Sequence, residues 1–176
     1  MAGSNIFLQL ITATGPVLGE GLLEGWQGSI ELKEFSWGFH ALKDTERKSI
    51  AAKMASMAGV GKPVTMKMEP LTFVKRFDVA SSQIHICLDN HLPVVSASIT
   101  VLHIKKGARA LHQPGFVLLA TRGYFSNVKL DLVEDGHTAE LVETVEMNFE
   151  NIKMNYLMSV GADSLPTAPF FYPTLL

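Results

Sequence analysis

Residues 94–104 read Val94-Val95-Ser96-Ala97-Ser98-Ile99-Thr100-Val101-Leu102-His103-Ile104. Val95, Ala97, Ile99 and Val101 alternate with Ser96, Ser98 and Thr100. A period of two with one apolar and one hydroxyl face predicts a strand that packs on one side and meets water on the other. The serine-threonine face is therefore expected to be wet.

The same period spreads outward from this strand. Ile6, Leu8 and Leu10 alternate with Phe7 and Gln9 in a first strand over 6–11 whose two faces are both partly apolar. Thr14-Gly15-Pro16 ends it, and Gly19, Gly21 and Gly25 punctuate the connection that follows. From Trp26 to Phe39, Ile30 and Leu32 hold one parity and Phe35, Trp37 and Phe39 the other. A one-residue change of parity is what a β-bulge produces. Similar changes fall at Pro70, between Val64-Met66-Met68 and Leu71-Phe73, and at Glu150-Asn151, between Val145-Met147-Phe149 and Ile152-Met154-Tyr156. Three such changes predict a strongly curved or closed sheet. Phe116–Thr121 and Asn127–Val133 read as two strands separated by Arg122-Gly123. Asp135-Gly136 is a hairpin signal, across which a strand over 140–156 pairs back.

One helix is well marked. Asp78 to Ser82 offers N-caps, and Ile84, Cys87, Leu88 and His91 follow at i, i+3, i+4 and i+7. Asn90 is expected to take the left-handed cap, and Pro93 forbids continuation. Asp44–Ala58 has helix formers but a thin apolar stripe, and reads as a long insertion between strands. The tail from Ser159, with Pro166, Pro169 and Pro173 around Phe170-Phe171-Tyr172, reads as too broken for a regular element.

Bulk properties narrow the function. A net charge of -2 does not suit a polyanion-binding surface, so no nucleic acid is expected as partner. Hydrophobic residues make up 47% and charged ones only 18%, against a usual charged share of roughly 25%. Such a chain has a compact β core or covers its exterior with copies of itself. One cysteine, Cys87, gives no disulfide framework. No basic region precedes the apolar N-terminal stretch and no apolar run reaches membrane-spanning length, so neither a cleaved leader nor membrane insertion is expected.

Catalytic signatures are weak. Gly59-Val60-Gly61-Lys62 is followed by Pro63 where a phosphate loop needs Ser or Thr. Gly19, Gly21 and Gly25 carry one residue too many for a dinucleotide fingerprint. Cys87 and His91 share a helix face at a spacing a zinc site or a thiol nucleophile could use, whereas His85 and Asp89 project elsewhere. A buried cysteine and a helix-end histidine are the simpler account. His40, His103, His112 and His137 show no ligand spacing, and the strand methionines fit a core or an interface. No catalytic, cofactor or metal residue is assigned.

The order of elements carries a resemblance. Phe35-Ser36-Trp37-Gly38, the Leu71-Thr72-Phe73-Val74-Lys75 strand, the capped helix directly after it, and Glu143-Thr144-Val145 through Phe149 stand in that sequence. Over about residues 5–157 the chain resembles the Hcp family, the tube proteins of type VI secretion systems. It departs from that pattern with Ser81-Ser82 at the helix start, Asn90-His91 at its end, and an Ala/Met/Lys-rich stretch over 43–62. The resemblance implies a mainly β fold: a compact barrel of two curved antiparallel sheets with one flanking helix, occupying 1–158 with a long loop at about 40–62, and a tail over 159–176. It implies a non-enzymatic tube subunit without cofactors, forming homohexameric rings that stack, with sheath, spike and small effectors as partners. Such a subunit assembles in the bacterial cytoplasm and is then secreted. Ser96, Ser98 and Thr100 become candidate channel-lining residues, and Lys43, Arg47, Lys53, Met54 and Met57 candidate contacts between subunits or rings. A tube of a phage-like contractile particle shares the architecture. A small barrel enclosing an apolar ligand or peptide is the reading from a different class, and a hydrolase centred on Cys87 and His91 a third.

Overall fold

A computed structural model describes residues 5–41, 66–104, 112–135, 138–160, 163–166 and 170–171. The elements run β1 (Ile6–Thr12), β2 (Gly15–Val17), β3 (Ile30–Ser36), β4 (Phe39–Ala41), β5 (Met66–Met68), β6 (Leu71–Arg76), α1 (Val79–Asp89), β7 (Val94–Ile104), β8 (His112–Asp135), β9 (Thr138–Val160), β10 (Asp163–Pro166) and β11 (Phe170–Phe171). The insertion residues Lys43, Arg47, Lys53, Met54 and Met57 lie outside the described residues.

Strands pair antiparallel in the order β9-β6-β3-β1-β7-β8, and β8 pairs β9 again. The circuit closes within one chain. A curved sheet that needs other copies to complete it, the expectation from two-faced apolar strands, is therefore corrected: the barrel has its own closure. Leu8, Leu10, Ile30, Leu71, Phe73, Ile99, Leu118 and Val145 fill its interior with side chains, which overturns the ligand-enclosing alternative. The helix adds Ala80, Ile84 and Cys87 to the same core.

Curvature comes from the expected devices. The parity change in β3 is a bulge between Leu32 and Glu34. The change at Pro70 is a break between β5 and β6. At Glu150-Asn151 the change occurs without a register shift. Both strands of the hairpin switch parity together: Ala120 and Ile152 are buried on one side of the bend, Phe125 and Met147 on the other. Arg122 stands there at φ 58, and the next residue is a glycine for a steric reason. A Cβ on Gly123 would lie 2.5 Å from the Asn148 carbonyl oxygen. Arg122-Gly123 is thus a bend inside the 24-residue strand β8, not a separator of two strands.

Two further expectations are corrected. The left-handed residue after α1 is His91, φ 50, while Asn90 sits at φ -94 and donates from Nδ2 to the Ile86 carbonyl at 2.9 Å. The tail forms two short strands: β10 folds back on residues 157–160 of β9, and β11 pairs Phe170 with Met154 and Phe171 with Lys153.

Candidate assembly surfaces and the buried hub

The inward parity of β6 is Leu71, Phe73, Lys75, and that of β9 is Glu143, Val145, Met147; all six are buried. Lys75 and Glu143 are register partners, so the sheet puts a full ion pair inside the barrel wall. The three N–H groups of Lys75 Nζ are shared among four acceptors: Glu143 Oε2 (3.0 Å), Asp78 Oδ1 (2.7 Å), Ser81 Oγ (2.8 Å) and the Arg76 carbonyl (2.6 Å). Ser81 Oγ donates to Glu143 Oε2 at 2.6 Å and accepts from the Asp78 backbone N–H at 3.0 Å. His85 Nε2 lies 2.7 Å from Glu143 Oε1. Burial alone would push the Glu143 carboxyl up, but hydrogen bonds from Ser81, Lys75 and His85 and the charge of Lys75 outweigh it and hold the group below its ordinary value.

The same atoms build the helix start. Asp78 caps α1, accepting from the Ala80 N–H at 3.0 Å, and Ser81 completes a reciprocal capping box. One lysine thus ties β6, β9 and α1 together. A buried charge with one partner missing would be costly; here Lys75 and Ser81 have every donor and lone pair engaged.

The proposed cysteine-histidine site does not assemble. Cys87 is buried in the core, whereas His91 has left the helix and is exposed.

On the outer face, strand registers line up three rows: Ile11, Ser96, Thr121 and Asn151; Gln9, Ser98, Leu119 and Lys153; Phe7, Thr100, Val117 and Asn155. Ser96 and Ser98 are half-buried on a broad, mostly uncharged surface. Thr100 is 4% exposed, so its expected wetness is corrected. It lies beside Phe7, whose ring stacks on Trp26 at 5.3 Å, and this end of the face is dry.

A second surface appears where β7 leaves β8 at Gly123. From Tyr124 to Asp135, that edge of β8 has no strand partner among the described residues. The barrel's inner face runs out along this arm as Val128 opposite Val145, Leu130 opposite Glu143, and Leu132 opposite Leu141. Leu130, Leu132 and Leu141 are 47%, 60% and 45% exposed, with Phe77 and Val79 exposed beside them. The Phe77 N–H donates to the Leu141 carbonyl at 3.0 Å and joins the two parts of the patch.

The sequence profile of the family described as "Type VI secretion system effector, Hcp" matches residues 7–156. The chain belongs to the Hcp family. The four pieces that carried the resemblance now have a physical connection: Lys75, Asp78, Ser81 and Glu143 meet in the hub, and Trp37 packs on Phe149 at 6.2 Å between ring centres. Among solved structures, a double mutant of Hcp1 from the E. coli EAEC 042 pathovar is 19% identical, covering 94% of this chain and 98% of that one at a TM-score of 0.66. Hcp1 from Salmonella typhimurium is 18% identical, covering 95% of each chain at 0.65. The secreted Hcp3 of Pseudomonas aeruginosa is 10% identical, covering 96% and 98% at 0.63. At these identities the likeness is one of fold. No curated protein sequence matches the chain. Family and fold together make it a tube protein of type VI secretion. Among the described residues no helix is long and apolar enough to cross a membrane.

Sequence reasoning missed the hub and the arm. The hub had a signal: a lysine and a glutamate both stand on the inward parity of their strands. The arm was hidden because Arg122-Gly123 imitates a turn.

Proposed function

We propose that six copies close into a ring, that rings stack into a tube expelled by a contracting sheath, and that the channel carries small effectors. The exposed Leu130-Leu132-Leu141 face beside the unpaired edge of β8 carries this reading. Apolar area of that kind is stabilised by removal from water, and an open strand edge invites a partner. A cyclic head-to-tail contact covers every copy of such a surface and leaves none open. In this arrangement the mostly uncharged rows around Ser96 and Ser98, with Lys153 as their cation, face the channel, with Thr100 at their dry end. Lys43, Arg47, Lys53, Met54 and Met57 take the contacts between rings or subunits. The barrel over 1–158 is the building unit and 159–176 its appendage. The protein assembles in the cytoplasm and leaves the cell with the tube, with sheath, spike and effectors as its other partners and no catalytic role. Light scattering and electron microscopy of the purified protein at tens of micromolar are expected to show six-membered rings. A strict monomer under those conditions contradicts the proposal.

A further inference from the structure

A second pair of features lies away from the arm. The loop between β2 and β3 presents Leu22 at 87% exposure and Leu18 at 64%. This is not a loose segment. The Gly19 N–H donates to the Gly28 carbonyl at 2.8 Å, Gly21 to Ser29 at 2.9 Å, Gly28 to Gly21 at 3.1 Å and Trp26 to Leu23 at 2.8 Å. Gly21 packs so closely that a Cβ there would lie 2.7 Å from the Ser29 carbonyl oxygen. Backbone hydrogen bonds, close glycine packing and the Phe7–Trp26 stack therefore hold an apolar knob out into water at fixed geometry. Preorganisation of this kind lowers the entropy lost when a surface docks.

Elsewhere on the surface, an open notch of about 520 Å³ lies at the hairpin bend, lined by His91, Pro93, Val95, Arg122, Tyr124 and Glu150 among others. Val95 and Tyr124 are 52% and 55% exposed. His91 and Arg122, the two non-glycine residues with positive φ among those described, both border it. Tyrosine and arginine are residues that dominate contact energy at interfaces.

The loop is acidic, and the notch, although Glu150 balances its one formal cation, turns the guanidinium of Arg122 outward. The loop brings exposed Glu20 and Glu24 and no Lys or Arg. The notch brings exposed Arg122, whose Nε holds Glu150 at 2.8 Å and whose other guanidinium nitrogens have no partner among the described residues, and His91. The two do not cover each other within one chain, since Leu22, Val95 and Tyr124 are all more than half exposed. Trp26 sits on Phe7, while Val94, beside the notch, pairs with Thr12. The five steps from Phe7 to Thr12 span about 17 Å at the rise of a strand, and the notch begins on β7, the next strand across.

We infer that Leu22 of one copy seats in the notch lined by Val95 and Tyr124 of a neighbouring copy, with Glu20 and Glu24 facing Arg122 and His91. Knob and notch are different surfaces of the same chain, so the contact is head-to-tail and each notch is filled by the next copy. This rests on the ring reading and adds to it the residues that lock neighbours.

Disulfide trapping tests it. Leu22→Cys combined with Tyr124→Cys is oxidised under assembling conditions, with buried Cys87 left in place. A ladder of covalent oligomers that each single variant lacks is expected. Rings in the microscope without a ladder overturn the knob-and-notch contact alone. Absence of both rings and ladder overturns this contact and the ring reading together. Leu22→Ser, an exposed change that leaves the fold intact, is expected to raise the concentration needed for assembly at least tenfold, and assembly at the wild-type concentration would overturn the contact.

Discussion

One residue of β9, Val142, separates Glu143 from Leu141, and both side chains lie on the same face of the strand. The carboxylate is fully buried, while the leucine is 45% exposed. Residue type would place them the other way round. Glu143 is inside because Lys75, Ser81 and His85 supply donors that replace water. Leu141 is outside because the sheet that closes the barrel ends there and nothing in the described chain lies over it. Burial follows the availability of partners, and where partners run out the chain exposes what another molecule can cover. The hub completes the subunit; the arm leaves an apolar face for the proposed assembly to cover.

The comparison is broken most severely at Lys75. Lys75→Met leaves the buried Glu143 and the partly buried Asp78 without their cation, and should cost about 3–5 kcal/mol in urea or thermal unfolding. Adding Glu143→Leu should restore part of that loss, because the fully buried carboxylate is then gone and only Asp78, which keeps its cap to the Ala80 N–H, lacks the lysine. A double variant as unstable as the single would contradict the pairing seen between these groups. Ser81→Ala removes the capping hydroxyl and the donor to Glu143, and should cost about 1–2 kcal/mol.

Acidity sharpens the same contrast. Glu143 is held below its ordinary value of 4.5, so its pairing stabilises the fold fully above that pH. The contribution is lost as pH falls below 4.5 through the lower folded value. The stability difference between wild type and Glu143→Gln should therefore be constant at neutral pH and shrink under acid. A difference that grows on acidification would reverse the sign of the argument. Smallest of all for stability, Leu132→Lys should shift unfolding by no more than about 0.5 kcal/mol, because its side chain covers little of its own subunit.

Much of this architecture was readable in advance. The alternation over 94–104 became β7 with the same ends, Asp78 became the cap of α1, and the parity change after Leu32 became a bulge. What failed had physical reasons. Thr100 was read as wet because parity reports which face a residue is on and not what lies over that face; Trp26, distant in sequence, dries it through Phe7. Asn90 is the better left-handed residue by propensity, yet its side chain is engaged with the Ile86 carbonyl and the cap passes to His91. Arg122-Gly123 carries turn chemistry, but both strands of the hairpin turn together there and the ladder survives. The hub was legible and overlooked: Leu71-x-Phe73-x-Lys75 and Glu143-x-Val145-x-Met147 place opposite charges on matching inward positions.

The central claim is that folding and assembly reside in different parts of one hairpin. Purified Leu132→Lys protein, weighed by light scattering beside wild type while its unfolding midpoint is recorded, tests this directly. The expected result is the mass of a single chain where wild type has that of a ring, with equal midpoints once both proteins are diluted to single chains, since assembly itself raises the apparent midpoint. A variant that still forms rings, or one that unfolds several degrees earlier than wild type at that dilution, would contradict it.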